Sequence, residues 1–294
     1  MAFRLDGRHV EVPGDAGSLL DALREDLGCR TPKDGCSPQG QCGCCTVWVD
    51  GAPRVSCVTP VRRVAGREVT TVDGLPEEDR RRWSEAFVAA GASQCGFCTP
   101  GIVMRLAALD RRRPGSGHRA ATAREDLEAA VRQALLAHLC RCTGWQTVVE
   151  AACEVLGGTP PAGGAWSGRD PLLAAWRAQV EGPAYQASGA ATVLGAAGFA
   201  DDTAPVGAAV ALPGEDGALV VAPTLAAARR RSAKVQGRNS TVPLTRPLEL
   251  PAGDWALTLR TTWVEPAYLE PDASWCQPGG IPATALANGG AFGG

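Results

Sequence analysis

The residues of this 294-residue chain that most clearly predict chemistry are its 12 cysteines. Most are grouped at short spacings, and clustered cysteines that are not joined in disulfides indicate metal binding or redox chemistry. The first group is Cys36, Cys42, Cys44, Cys45 and Cys57; the second is Cys95, Cys98, Cys140 and Cys142; and Cys29, Cys153 and Cys276 stand apart.

The composition and the N-terminus predict a reducing environment for these thiols. Residues 1–7 turn charged at once and lack the apolar core of a signal peptide, so we expect a cytoplasmic protein whose cysteines stay reduced. No stretch reaches the roughly 18 consecutive apolar residues of a membrane span. The net charge of −2 gives no reason to expect nucleic acid as a partner. We interpret the arginine runs 80–82, 111–113 and 229–231 as solvated faces.

The first cysteine group has the spacing of a redox cluster loop. Its pattern, C-x5-C-x2-C-x11-C, is close to the C-x4-C-x2-C plus distant cysteine of plant-type [2Fe–2S] ferredoxins. Such a loop points thiolates inward while backbone N–H groups face the bridging sulfides, and Gly35, Gly40 and Gly43 permit close approach of the backbone. Four cysteines also suit tetrahedral zinc, but zinc ribbons usually bring two separate CxxC knuckles. The pattern therefore favours iron–sulfur over zinc.

The second cysteine group lies at predicted helix ends. Cys95 and Cys98 precede Thr99-Pro100, an N-cap followed by a first-turn proline. Cys140-Arg-Cys142 is separated from Cys98 by 41 residues. The two pairs can meet where helices abut, and helix N-termini suit anionic thiolates and sulfides. Spacing alone leaves zinc or a redox dithiol open at this second group.

The elements that must position these cysteines change character near residue 76. Before it, hairpin turns at Asp6-Gly7 and Asp50-Gly51 and a helix capped by Ser18 predict a small α+β domain. After it, apolar residues with period 3.6 predict helices. Those helices are expected over 83–90, from Thr99, from a capping box at Thr122 with Leu135 and Leu139 inward, and over 146–156. Beyond residue 157 we expect a linker, a helix near 171–180 and short strands near 208–212, 219–221 and 256–262.

Three stretches together resemble the iron–sulfur portion of the molybdenum hydroxylases, the xanthine dehydrogenase/aldehyde oxidase family. They are KDGCSPQGQCGCCTVWVDG (33–51), SQCGFCTPGIVM (93–104) and HLCRCTGW (138–145). The resemblance covers about residues 1–157 and implies an α+β fold. Its parts would be a β-grasp ferredoxin-like domain (1–76) and an all-α four-helix domain (77–157), each holding one [2Fe–2S] cluster.

The resemblance also implies roles for particular residues. The ligands of the first cluster would be Cys36, Cys42, Cys45 and Cys57, and those of the second Cys95, Cys98, Cys140 and Cys142. Gln94 and Cys142 match positions near the molybdopterin of the family, and the ferredoxin-like cluster would lie towards a flavin or another acceptor.

The first cysteine loop departs from the family pattern in two ways. Five residues (37–41) separate its first two cysteines, where the family has four. Cys44 stands where a small residue such as alanine is usual, and we interpret it as a non-ligand, with a swap against Cys45 left open. Cys29, Cys153 and Cys276 match no ligand position and are expected to be ordinary buried or partly buried thiols.

The C-terminal part resembles the molybdenum-binding subunit of the same family in three stretches. They are GAAGFADD (195–202), RTTWVEPAYLEP (260–271) and NGGAFGG (288–294). The alternative is a low-complexity, glycine-rich terminus. After a linker over 158–194, we expect 195–294 to be an incomplete, irregular α/β segment that completes or docks on the molybdenum subunit.

The resemblance thus predicts an electron-transfer component of a molybdenum hydroxylase that is not catalytically complete alone. Molybdopterin and FAD are expected on partner subunits, because this chain lacks the rest of the molybdenum domain and a flavin domain. The alternatives are a stand-alone two-cluster ferredoxin and a zinc-binding interaction module.

Overall fold

The N-terminal hairpin forms where the sequence predicts it. In the computed structural model, β1 (Ala2–Leu5) and β2 (Arg8–Glu11) pair antiparallel. Asp6 and Gly7 join them with φ of 50° and 79°, the left-handed values that a two-residue hairpin turn requires. The structure describes residues 1–14, 17–36, 39–112, 123–157, 173, 176, 180, 189–205, 207–214, 217–232, 252–259 and 274–282. Thr122, most of the 158–194 linker and the stretches 260–271 and 288–294 lie outside the described residues.

Two hairpins and a fifth strand form one mixed sheet. β3 (Thr46–Val49) and β4 (Ala52–Val55) pair antiparallel across Asp50-Gly51. β5 (Glu68–Thr70) lies parallel to β1 and antiparallel to β3, which gives the order β2-β1-β5-β3-β4. The second strand of the predicted Asp50-Gly51 hairpin ends at Val55, because Ser56–Val58 turns into a 3₁₀ helix.

The predicted Ser18 cap is confirmed. Ser18 and Asp21 exchange side chain-to-backbone hydrogen bonds of 3.1 Å at the start of α1 (Leu19–Asp21). The helix continues as a π-helical turn over Ala22–Asp26, which the sequence did not predict. Leu19 and Leu23 bury their side chains against the sheet together with Phe3 and Val47.

Four helices follow the sheet: α2 (Glu77–Ala89), α3 (Thr99–Arg112), α4 (Arg124–Ala134) and α5 (Gln146–Gly157). α2 begins before the predicted residue 83 because its first turn carries three acidic residues, which favour a helix N-terminus. α4 ends at Ala134, so the prediction that Leu139 points inward is wrong, and this side chain is 38% exposed. Leu135 is buried as predicted.

Sheet and helices share a packed boundary. Trp48 of β3 is buried, and its indole N–H donates to the Met104 carbonyl of α3 at 2.8 Å. The Arg111 guanidinium lies 4.4 Å from the centre of the Trp48 ring, so this residue of the second arginine run packs on an aromatic face. Trp48 also belongs to the same apolar core as Trp83 and Phe87 of α2.

The described C-terminal elements are short. They are α6 (Ala190–Val193), α7 (Ala200–Thr203), β6 (Val210–Pro213), β7 (Leu219–Ala222) and α8 (Leu225–Arg231). β6 and β7 lie where the sequence predicts strands and pair as an antiparallel hairpin, whereas residues 256–259 form no strand. The described chain is therefore a mixed α+β fold, and within its described residues no helix is both long and apolar enough to cross a membrane.

Candidate metal centre

The β3–β4 hairpin brings two cysteines of the first group side by side. Cys45 directly precedes β3 and Cys57 follows β4, whose ends are paired in the register Thr46 to Val55. The Ser56 backbone N–H and hydroxyl both donate to the Cys45 carbonyl, at 3.2 and 2.8 Å. Because the hairpin closes there, the Cys45 and Cys57 thiols are in hydrogen-bonding contact.

The loop before β3 adds the other thiols of the first group. Gly40 and Gly43 take left-handed φ values of 69° and 70°, which turns the chain around Cys42. The Cys36 thiol contacts those of Cys42 and Cys57. The Gln39 backbone N–H donates to the Cys36 sulfur at 3.3 Å. The first group is therefore a pocket of four thiols with backbone donors directed at sulfur.

Cys44 lies apart from the Cys45–Cys57 contact. Its side chain is fully buried, its sulfur is 3.7 Å from the Cys42 carbonyl oxygen, and its thiol contacts that of Cys42. Cys45, and not Cys44, therefore faces Cys57.

The second group forms where α3 begins and where α4 connects to α5. Cys95 contacts Cys142, and Cys98 contacts Cys140. The Thr143 hydroxyl lies 3.1 Å from the Cys140 sulfur. These contacts bring the predicted CxxC and CxC pairs together.

Backbone N–H groups also reach the sulfurs of the second group. Phe97 donates to Cys95, Thr143 and Cys142 donate to Cys140, and the Cys95 backbone donates to Cys142. Such donors stabilise a thiolate and tune a bound cluster.

The contacts between these thiols lower the pKa of one thiol and raise the pKa of its neighbour. A hydrogen bond from the neighbouring thiol is the main cause that lowers the pKa of Cys36, Cys45, Cys140 and Cys142, in the case of Cys140 to about 6. The same hydrogen bonds are the main cause that raises the pKa of Cys42, Cys57, Cys95 and Cys98. A lowered pKa favours the thiolate, which is the form of cysteine that binds metal.

The two cysteine groups adjoin each other. The Leu139 backbone N–H donates to the Cys42 carbonyl at 3.0 Å. The buried His138 ring packs on Gly43, where an added Cβ would stand 2.4 Å from the ring. His138 Nε2 is 3.3 Å from the Thr46 hydroxyl oxygen, and burial lowers the pKa of the ring to about 4. The ring is therefore neutral at pH 7.

Sequence reasoning missed the place of His138. The residue lies within the quoted stretch 138–145, so its position beside Cys140 was visible, but the sequence held no sign that it would pack on the other cysteine loop. Gln94 is exposed and adjacent to Cys95, and Cys142 is half-buried, so both predicted pterin-side residues lie at the second group.

The other three cysteines differ in their burial. Cys153 is buried in α5 and Cys29 is half-buried beside Thr31, as predicted. Cys276 is exposed, so the prediction that it is buried or partly buried is wrong. It lies in a described stretch, 274–282, that has little secondary structure.

The fold and the paired thiols define an iron–sulfur protein. Residues 71–153 match the family model described as a [2Fe-2S] binding domain. Over 154 residues the chain is 39% identical to the nicotine 6-hydroxylase small subunit of Paenarthrobacter nicotinovorans. The matched region covers 52% of this chain and 87% of that protein. The nicotinate dehydrogenase small FeS subunit of Eubacterium barkeri is 35% identical over 128 residues, 43% of this chain and 74% of that protein.

The chain therefore belongs to the iron–sulfur subunits of the molybdenum hydroxylases, the xanthine dehydrogenase/aldehyde oxidoreductase family, and is an oxidoreductase component. Its relatives are subunits of larger enzymes, which favours this assignment over a stand-alone ferredoxin. Among solved structures, the aldehyde oxidoreductase from Desulfovibrio gigas is similar with a TM-score of 0.52 and 28% identity. That similarity covers 72% of this chain but only 24% of the aldehyde oxidoreductase.

Proposed function

We propose that this chain carries electrons one at a time between a molybdopterin site on a partner and a flavin or other acceptor. Two [2Fe–2S] clusters would be held by Cys36, Cys42, Cys45 and Cys57 and by Cys95, Cys98, Cys140 and Cys142. The proposal includes the division into a β-grasp ferredoxin-like domain over 1–76 and a helical domain over 77–157.

The observation that carries this proposal is that the thiols of the second group meet in two pairs. A structural zinc site gathers four ligands around one ion, whereas a [2Fe–2S] cluster places two ligands on each of two irons. The contacts Cys95–Cys142 and Cys98–Cys140 have the second arrangement.

The chain's own residues would bind and insulate the clusters. A bound [2Fe–2S] cluster supplies reversible one-electron transfer, with a potential set by hydrogen bonds to sulfur and by solvent exposure. The backbone donors to Cys36, Cys95, Cys140 and Cys142 stabilise negative charge on sulfur. Burial of Cys42, Cys45 and Cys98 keeps water away from that charge.

The two sites differ in what they offer a partner. Gln94 and Cys142 lie at a more accessible edge of the second group, and we assign this edge to the molybdopterin-bearing partner. The first group would face the flavin subunit or another acceptor. The hydrogen bond from Leu139 to the Cys42 carbonyl keeps the two sites adjacent, as transfer between them requires.

Metal and sulfide analysis of the purified chain, with EPR after reduction, tests the proposal. We expect about four iron and four acid-labile sulfide per chain, because each [2Fe–2S] cluster contains two of each. Two distinct EPR signals should appear on reduction. Zinc without inorganic sulfide would contradict the proposal and support the zinc-module alternative.

A further inference from the structure

Residues 189–203, called here the clamp segment, contact the Cys95–Cys98 loop directly and the first cysteine group through Lys33. The segment contains α6, which packs on α2 and α3, and α7. Its side chains at Thr192, Val193, Ala197 and Phe199 are buried, although α6 and α7 are only four residues long. Helices this short are not stable alone, so contacts with the rest of the chain hold the segment in place.

Ion pairs join the clamp segment to the N-terminal part. Arg24 binds Asp201 at 2.6 Å and Asp202 at 2.8 Å, and Lys33 also pairs with Asp202. The Arg24 and Lys33 side chains are only 6% and 1% exposed. A buried cation that loses its carboxylate is strongly destabilising, so this face requires an acidic partner.

Lys33 connects the clamp segment to the first cysteine group. Its ammonium donates to the Gly195 carbonyl at 3.0 Å and lies 5.2 Å from the centre of the Phe199 ring. Its backbone N–H donates to the Cys44 carbonyl at 3.2 Å. A shift of the clamp segment would therefore be transmitted directly to the loop that carries Cys42 and Cys45.

Phe199 and Thr192 connect the same segment to the second cysteine group. The Phe199 ring packs edge-on against Phe97 at 5.0 Å between centres, and Phe97 lies between Cys95 and Cys98. Gly96 has a left-handed φ of 84°, and an added Cβ there would stand 2.5 Å from the Thr192 methyl carbon. The clamp segment thus packs directly on the Cys95–Cys98 loop at Gly96 and Phe97.

A further ion pair holds the residues that follow. Arg229 of α8 binds Asp34 at 2.6 Å, and the Arg229 side chain is only 17% exposed. The interpretation of 229–231 as a solvated arginine run is therefore wrong for Arg229. Glu25 also accepts a 3.1 Å hydrogen bond from the Ala226 backbone at the start of α8. The chain that follows the clamp segment is thus also bound to the N-terminal part, at Asp34 and Glu25.

We propose that the clamp segment fixes the two cysteine groups relative to each other and closes the Cys95–Cys98 loop to solvent. The segment provides carboxylates for Arg24 and Lys33 and an aromatic ring for Phe97, all from the same chain. The claim that the segment positions two clusters relative to each other rests on the function proposed above. The claim that it closes the Cys95–Cys98 loop to solvent does not depend on that function.

Two substitutions in the full-length protein test this proposal. Asp202→Asn removes the shared carboxylate charge, and Phe199→Leu weakens the aromatic contact while every ion pair stays intact. Asp254→Asn is the matched control, because Asp254 is exposed and lies outside the clamp segment. Hydrogen exchange of peptides covering 94–98 and 189–203 is measured together with the spin–spin splitting between the two reduced clusters in EPR.

We expect exchange in both peptides to be faster by about tenfold or more in each test variant, because local opening no longer has to break the buried contacts. The spin–spin splitting should change in the same two variants, and neither signal should move in the control. If Asp202→Asn does not fold, the exchange rates and the splitting of Phe199→Leu alone test the proposal.

Unchanged exchange in the test variants would overturn the closure, and unchanged splitting would overturn the role in positioning the clusters. A wild-type chain without iron and sulfide would instead refute the function proposed above. In that case the exchange measurement still decides whether Asp202 and Phe199 close the loop.

Discussion

At the scale of single residues, the distinction between Cys44 and Cys45 decides the first site. The two are neighbours in sequence and both are buried, but only Cys45 contacts Cys57. Cys44 instead lies against Cys42. Two adjacent thiols with different surroundings provide a matched pair of substitutions.

We predict that Cys45→Ala loses one cluster and Cys44→Ala keeps both. Removing a proposed ligand should lower the content from about four to about two iron per chain and abolish one of the two EPR signals. Iron analysis and EPR of both variants check this. Equal loss in both variants, or loss only in Cys44→Ala, would show that the ligand assignment is wrong.

A second prediction concerns the Cys140 thiol in the cluster-free chain. The hydrogen bond from Cys98 is the main cause that lowers its pKa to about 6, so the reactive thiolate is present at neutral pH and is lost as the pH falls through 6. Iodoacetamide modification of Cys140, followed by mass spectrometry between pH 4 and 10, should be half-maximal near pH 6. A midpoint near the ordinary cysteine value of roughly 8.5 would contradict the pairing with Cys98.

At the scale of elements, Gly43 of the first cysteine loop is required for close packing, whereas Gly51 of the β3–β4 turn is not. Gly43 and Gly51 have nearly the same φ, 70° and 74°. An added Cβ would clash with the His138 ring at Gly43 but would meet no atom within 4 Å at Gly51. Comparison of the two separates backbone strain from the contact between the cysteine groups.

We predict that Gly43→Ala is clearly more destabilising than Gly51→Ala. Both substitutions carry the cost of a left-handed alanine, about 1 kcal/mol, and Gly43→Ala adds an overpacking cost of about 1–3 kcal/mol. Chemical denaturation of the two variants measures the difference in the free energy of unfolding. Equal losses would show that His138 does not pack on this loop.

Local signals predicted many of the elements, and long-range contacts explain the end of α4, which local signals missed. The Asp6-Gly7 turn, the Ser18 cap and the helix over 146–156 depend on neighbouring residues, and the structure confirms them. The end of α4 at Ala134 is different, because residues 138–142 are drawn out of helical geometry to meet Cys42 and Cys98. Period 3.6 alone could not reveal that competition.

At the scale of the whole molecule, local features of the C-terminal part were predictable from the sequence, whereas its long-range contacts were not. The sequence predicted strands near 208–212 and 219–221 and a resemblance at 195–202, and this part was expected to complete or dock on a partner subunit. It did not predict that Asp201 and Asp202 would pair with Arg24 and Lys33 of the same chain. Partners about 170 residues apart leave no local pattern from which such contacts could be inferred.

The central claim for the whole molecule is that one chain carries two one-electron centres. A reductive titration of the purified full-length protein, with the EPR spins integrated at the end point, tests it most directly. We predict uptake of about two electrons and about two spins per chain, one for each [2Fe–2S] cluster, in two signals of different g-values. An end point of one electron or fewer in iron-replete protein, or a chain that contains only zinc and takes up no electrons, would contradict it.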